Sequence, residues 1–290
     1  VSHAGAVPLG AWRRFRQQPG GTAGLLVTLA LIAIAALAPA LAPYDAAHTD
    51  LVRAWAAPSP EHWLGCDAVG RDVLSRLIVG SRASLTTATA AVVLATALGG
   101  GLGLLAGTIG GWTDRLVVLL VDLGLAFPKP VVALLLTAAW GPGEPALVVA
   151  LGIAASPAIA RLTRAQVMVV RAELFVLAAL AGGATPGHVL LRHLLPGSLP
   201  VLAASAGAAL GQTMLAEAAL SFLGLGLQEP AVSWGGLIRD GLPALRTAPV
   251  LALSASAAVF VAVAGVNAAA DGALEALNGR AVGSRHQASP

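Results

Sequence analysis

The chain has 290 residues, of which 57% are hydrophobic and 11% charged, with a mean hydropathy of +0.82. Average soluble domains carry about 25% charged residues, so this composition excludes an ordinary soluble domain and points to an integral membrane protein. A net charge of +3, scattered and without interleaved aromatics, excludes a nucleic-acid surface, and a single cysteine, Cys66, excludes an intrachain disulfide and a thiolate metal cluster.

From the amino end, Trp12-Arg13-Arg14-Phe15-Arg16 precedes an apolar run at 24–41, long enough to cross a hydrocarbon core of about 30 Å. Ala36-Leu37-Ala38 and Ala40-Leu41-Ala42 also fit a signal-peptide cleavage site. The run is longer than such a peptide's apolar core and more runs follow. The reading is therefore an uncleaved first span, 22–42, after a cytoplasmic segment, 1–21, with the arginines holding the amino terminus inside. Residues 43–85 are polar and rich in Pro, Asp and Arg, as expected of an extracytoplasmic segment. Within it Val73, Leu74, Leu77 and Ile78 share one face, which predicts an interfacial helix over 70–78.

Apolar stretches at 86–108, 116–139, 145–160, 199–222 and 249–270 bring the expected spans to six. The fold class is all-α and polytopic, with a core of 86–272 and a cytoplasmic tail of 273–290. Gly99-Gly100-Gly101 and Gly103 read as a helix-packing device. Six spans starting inside return 161–198 to the cytoplasm, where Arg161, Arg164, Arg171 and Arg192 follow the positive-inside tendency. A loop of roughly 35 residues is long for a connector. It reads as a helix over 173–181, a turn over 182–187, and a second helical run to Leu195 closed by Pro196, an arrangement suited to docking a partner.

Within that loop Leu177-Ala178-Ala179, Gly183-Ala184, Arg192-His193 and Leu194-Leu195-Pro196 resemble the EAA loop of binding-protein-dependent ABC importer permeases. The usual glutamate is Leu177, and a position that is often arginine is Leu180. Loss of both members of an i,i+3 pair strands no charge. Three further stretches are similar to the dipeptide, oligopeptide and nickel subfamily: His62-Trp63-Leu64-Gly65-Cys66-Asp67, Gly70-Arg71-Asp72 through Leu85, and Ser221-Phe222-Leu223-Gly224-Leu225-Gly226 with Ser233-Trp234-Gly235. Cys66 and Glu229 replace that subfamily's threonine and proline.

The resemblance implies a multi-pass subunit of the cell membrane, with both termini cytoplasmic, that pairs with a second, homologous permease. Two ATP-binding subunits and an extracytoplasmic solute-binding protein complete the implied assembly. Leu177, Ala178, Ala179, Leu180, Gly183, Ala184 and Arg192 would couple to the ATPases, and Asp67, Arg71, Asp72 and Trp234 would face the binding protein. The implied cargo is a di- or oligopeptide, a nickel chelate being the alternative, and the implied mechanism is alternating access driven by movement of the 172–195 loop. ATP and Mg²⁺ would bind the partner ATPases, with no cofactor or metal on this chain.

Enzyme readings fail on the residues. The one lysine, Lys129, stands between Pro128 and Pro130 and cannot serve a phosphate loop, and neither H-E-x-x-H nor G-x-S-x-G occurs. An ion-coupled secondary transporter would need no docking loop. Ionisable residues in apolar segments rarely face lipid, so Asp122, Lys129 and Glu217 are candidates for the translocation path. Lys129, about 20 Å along its segment, is expected to line the cavity and favour anionic cargo, with Asp122 seven residues earlier as an alternative ion-pair partner.

Overall fold

The computed structural model describes residues 9–278. A short helix α1 (Leu9–Arg16) leads into α2 (Pro19–Ala36), which breaks at Leu37 before one more turn, α3 (Ala38–Leu41). A loop without regular strands follows. Then come α4 (Val73–Ile109), α5 (Gly111–Ala126), α6 (Lys129–Trp140) and α7 (Glu144–Arg171). Two short helices, α8 (Leu174–Ala181) and α9 (Pro186–Val189), precede a π turn (Leu190–Leu194) that runs directly into α10 (Leu195–Phe222). The chain ends in α11 (Trp234–Gly241) and α12 (Val250–Asn278). Among the described residues five helices are long and apolar enough to cross a membrane, or six if the bent α5–α6 pair is counted as one span.

The helix begins well before the expected boundary at 85/86. Asp72 caps a helix that runs unbroken for 37 residues, about 55 Å, so the 70–78 stretch is continuous with the following span and not a separate helix. Its side chain accepts hydrogen bonds from Ser75 N (2.8 Å) and Ser75 Oγ (2.7 Å), which satisfies orphan groups of the first turn. At the other terminus, α12 continues to Asn278, past the expected start of a tail at 273. The remaining tail, 279–290, and residues 1–8 lie outside the described residues.

α4 and α7 lie side by side and parallel. Gly99 meets Ser156, Gly103 meets Ala160 and Gly107 meets Arg164, the same offset along both chains each time. A Cβ on Gly99 would stand 2.3 Å from the Ser156 carbonyl oxygen, and one on Gly103 2.6 Å from that of Ala160, so both contacts require glycine. Two parallel neighbours need a return crossing between them. α5 and α6 supply it, α5 running antiparallel to α7 with Asp114 against Arg164 and Gly124 against Pro157.

The segment expected as one span over 116–139 is bent by 90° where α5 meets α6. Phe127 is extended (φ −100°, ψ 141°), as the Pro128 ring demands of the residue before it, and a helix cannot continue through that geometry.

α10 returns antiparallel to α4 and α7, with Gly100 on Leu202 and Gly197 on Val170. α12 then runs antiparallel to α10 (Gly211 on Asn267), and α2 antiparallel to α12 (Gly24 on Ala268). This path puts α1, α8 and the end of α12 at one end of the bundle. The 43–72 loop and α11 lie at the other.

The inside is small and the outside large. Ala88, Ala91, Ala95, Ala150, Ala255 and Ala262 are sealed, while Leu26, Leu119, Leu135, Leu215 and Phe260 are more than half exposed. In lipid, the outward leucines gain nothing from burial and helix association rests on close backbone approach, which small residues permit.

Gly99→Val should therefore separate α4 from α7 and cost about 1–3 kcal/mol through overpacking. Gly101 has open space around its Cβ direction, so Gly101→Ala should be neutral or stabilising by up to about 1 kcal/mol. Thermal aggregation of the detergent-solubilised chain measures both. Equal midpoints for the two variants would contradict the packing.

Candidate functional site

Three places on the bundle carry the residues singled out from sequence. The first is the α8–α9 end. α8 closes with Gly183 N–H donating to Leu180 O (3.0 Å) and Ala184 N–H donating to Ala179 O (3.0 Å), a pattern that needs a left-handed residue between them. Gly183 provides it at φ +84°. Val176 is sealed against Val167, Val170, Val189 and Leu194, which pins one side of α8 to the end of α7, to α9 and to the π turn that leads into α10. The rest of its circumference is largely open: Leu174, Phe175, Leu177 and Leu180 are 82%, 45%, 49% and 40% exposed. Ala178 and Arg192 are also exposed, and Ala179 and Ala184 partly so. The Phe175 ring meets His193 edge-on at 5.6 Å, tying α8 to the π turn.

Pro196 does not close the second run as expected. Leu195 N–H donates to Leu190 O, a five-residue step that widens the turn just ahead of Pro196, and the helix continues into α10. The independent loop is accordingly shorter than 161–198, because α7 extends to Arg171 and helix resumes at Pro186.

The second place is a cavity of about 390 Å³ between α6, α7 and α10. Lys129, the first residue of α6 after the bend, lines it and donates from Nζ to Gln212 Oε1 at 2.9 Å. The sequence candidates Asp122, Lys129 and Glu217 do not converge. Asp122 sits on the far side of the break in a separate cavity of about 170 Å³ shared with Arg161 and Arg164, so the bend removes its pairing with Lys129. Glu217 is sealed within the chain, accepts a hydrogen bond from Ser221 Oγ (2.7 Å) and does not line the Lys129 cavity. Gln212 escaped the sequence reading. Its signal was a lone amide in the apolar 199–222 stretch.

The third place is a charged clamp at the opposite end. Asp67 Oδ1 accepts from Val69 N (3.0 Å) and Arg71 N (2.9 Å), and Oδ2 from Arg71 Nε (2.7 Å) and Arg76 Nη1. Arg71 reaches on to Glu229 (2.8 Å), and Arg76 lies 3.7 Å from Asp240 on α11, so one network joins the loop, α4 and the segment after α10. Gly70 shapes that loop at φ +79°, where a Cβ would collide with Asp50 O.

Burial alone would push the Asp67 carboxyl up, but the Arg71 hydrogen bonds and the Arg76 charge outweigh it and hold it below the usual carboxylate range. The hydrogen bond from Arg71 likewise holds Glu229 low.

Beside the clamp, Arg53 Nη1 can only donate, so His62 Nε2 accepts from it (2.7 Å) and Nδ1 donates to Asp72 (2.9 Å). Trp234 is buried, with Nε1 donating to Leu77 O (3.0 Å). Asp67, Asp72 and Trp234 are each under 5% exposed, so their side chains frame this end from within. Arg71 keeps a partly exposed edge.

Residues 99–282, containing α8, its glycine turn and the helices that hold them, match the family described as binding-protein-dependent transport system inner membrane component. The chain belongs to this family. Residues 10–58 of this permease additionally match the N-terminal transmembrane domain of oligopeptide transport permease C. The glutathione transport system permease protein GsiD of Pectobacterium atrosepticum is 38% identical over 268 residues, covering 92% of this chain and 89% of that protein. Proteins of the same name from Escherichia coli O6:K15:H31 and Shigella boydii are 37% identical over 268 residues, covering 92% and 88%. The chain is thus a multi-pass permease subunit of an ABC importer.

Removing Asp67 from the permease clamp leaves Arg76 buried without its closest counter-charge, so Asp67→Asn should cost about 3–5 kcal/mol. In the parent, the Asp67 and Glu229 contributions are complete above the ordinary carboxylate pKa of about 4 and are lost as pH falls through their depressed native values. Thermal unfolding followed from pH 7 to pH 3 should show this acid loss in the parent and a smaller one in Asp67→Asn. Parallel profiles would rule out the clamp as a pH-linked stabiliser.

Proposed function

We propose that this permease imports peptide-type cargo as one half of a translocation path, beside a second, homologous permease. Two ATPase subunits would hold the ATP and Mg²⁺ and seat on the α8–α9 end, and an extracytoplasmic binding protein would deliver cargo at the clamp end. The observation that carries this reading is the open apolar surface of Leu174, Phe175, Leu177 and Leu180 around a short helix that Val176 locks to the end of α7, to α9 and to the π turn. Open apolar surface on an anchored helix is what force transmission between rigid bodies requires. A push on α8 passes through the Val176 cluster to α7 and, by way of the π turn, into α10, and these two helices also wall the Lys129 cavity.

The α8 end is assigned to the cytoplasm, with both termini. Arg13, Arg14 and Arg16 of α1 and Arg115, Arg161, Arg164, Arg171 and Arg192 lie towards that end, against Arg53, Arg71, Arg76, Arg82, Arg239 and Arg246 towards the other, a modest basic excess on the α8 side. Peptide cargo is favoured by the GsiD relatives, whose name refers to glutathione, itself a tripeptide.

Leu177→Glu would drive a carboxylate into the docking contact and should weaken ATPase association by about tenfold or more. Adding Leu180→Arg, one helical turn away, should recover part of the loss by restoring an i,i+3 pair. Gly183→Val should weaken association too, since the turn needs positive φ and the surrounding space is open, so backbone strain is the only obstacle. Pull-down of ATPase subunits by the tagged permease reads all three. Retention at parental levels in Leu177→Glu would place this part of α8 outside the interface.

A further inference from the structure

Lys129 is the only lysine of the chain, and its ammonium lies at the open side of the cavity between α6, α7 and α10, where neither it nor Gln212 is buried by this chain. Its partner Gln212 sits ten residues before Phe222, about 15 Å along α10 and near the middle of that helix's apolar stretch. An ammonium at such depth does not face lipid; it turns to protein, water or an anion. Among the described residues its hydrogen-bond partner is a neutral amide oxygen. The two carboxylates that sequence placed near it are elsewhere, Asp122 beyond the helix break and Glu217 sealed against Ser221.

The charge therefore stands uncompensated beside open space. With Oε1 engaged by the ammonium, the Gln212 amide keeps its Nε2 hydrogens for another acceptor, so both side chains offer donors at this point. The rest of the lining is small and apolar, including Leu151, Ala154, Ala155 and Ala216, and 390 Å³ is within the usual size of a small-molecule site. Of the lining helices, α7 packs against α8 directly and α10 continues from the π turn packed there, so the cavity lies where movement of the docking end would be felt.

Building on the import reading, we propose that Lys129 and Gln212 form a subsite in the translocation path that takes a carboxylate of the cargo. The ammonium supplies the charge, Gln212 orients it and donates beside it, and the apolar wall accepts the adjoining carbon chain. The site draws an anionic terminus into the bundle without a buried counter-ion of its own.

The test is thiol labelling of Gln212→Cys in native membranes, with the parent as control, since its native Cys66 is buried. An anionic and a cationic methanethiosulfonate reagent are compared, with Lys129 retained, changed to arginine, or changed to methionine. The ratio of anionic to cationic rate should fall about tenfold in Lys129→Met and hold in Lys129→Arg, as expected for removal of one nearby charge in a poorly screened site. N-acetyl-alanyl-alanine should slow labelling when Lys129 is present, and its C-terminal amide should not. An introduced thiol inert to both reagents, a ratio indifferent to Lys129→Met, or equal protection by acid and amide would each overturn the proposal. Labelling is read on this chain alone, so a failure of ATPase docking would appear in the pull-down and leave this result standing.

Discussion

The close parallel approach of α4 and α7 is the constraint from which the rest of the bundle follows. Glycines at 99 and 103 let the two backbones meet where a single methyl would collide with a carbonyl oxygen. Parallel neighbours in one chain require a full return crossing, and that crossing is made by α5 and α6 around a right-angle bend. The bend delivers Lys129 to the start of a helix at the level of α10's apolar middle. A straight third span would have left that ammonium on a continuous helix face with Asp122.

The two ends of the bundle are built on opposite principles. At the clamp end, charges are drawn inward and satisfied: Asp67 gathers two backbone N–H groups and two guanidinium groups, and Arg71 and Arg76 extend the network towards α11. A buried charge network of this kind is costly to break and holds one geometry, which suits a surface that must keep its shape. At the α8 end, apolar groups are pushed outward on a short helix held by one sealed valine and one glycine turn. The contrast supports the proposal of reception at the rigid end and coupling at the open end.

Much of this was legible in the sequence. Composition established the membrane class, apolar runs placed the crossings, and Gly183 with its flanking alanines marked the turn that the structure closes with two backbone hydrogen bonds. What escaped were features set by contacts distant in sequence. Hydropathy cannot tell that α4 begins at Val73, because its first turns face the clamp and α11 and therefore carry Ser75, Arg76 and Ser81 on a helix that never breaks. Nor does a Phe-Pro-Lys-Pro stretch state how sharply it turns; the 90° angle depends on where α7 receives α6. Asp67, Asp72 and Trp234 looked like surface residues because polar and aromatic side chains in a loop usually are, and only the tertiary network reveals them as interior supports. Pro196 looked like a helix stop because the wider turn before it leaves no trace in composition.

The central claim is that this chain is an incomplete half of an assembly powered elsewhere, and native mass spectrometry of the tagged permease purified from its own membranes tests it most directly. The account predicts a complex containing this 28.7 kDa chain, one different permease and two ATPase subunits. A lone homo-oligomer of this chain, with no ATPase attached, would contradict it.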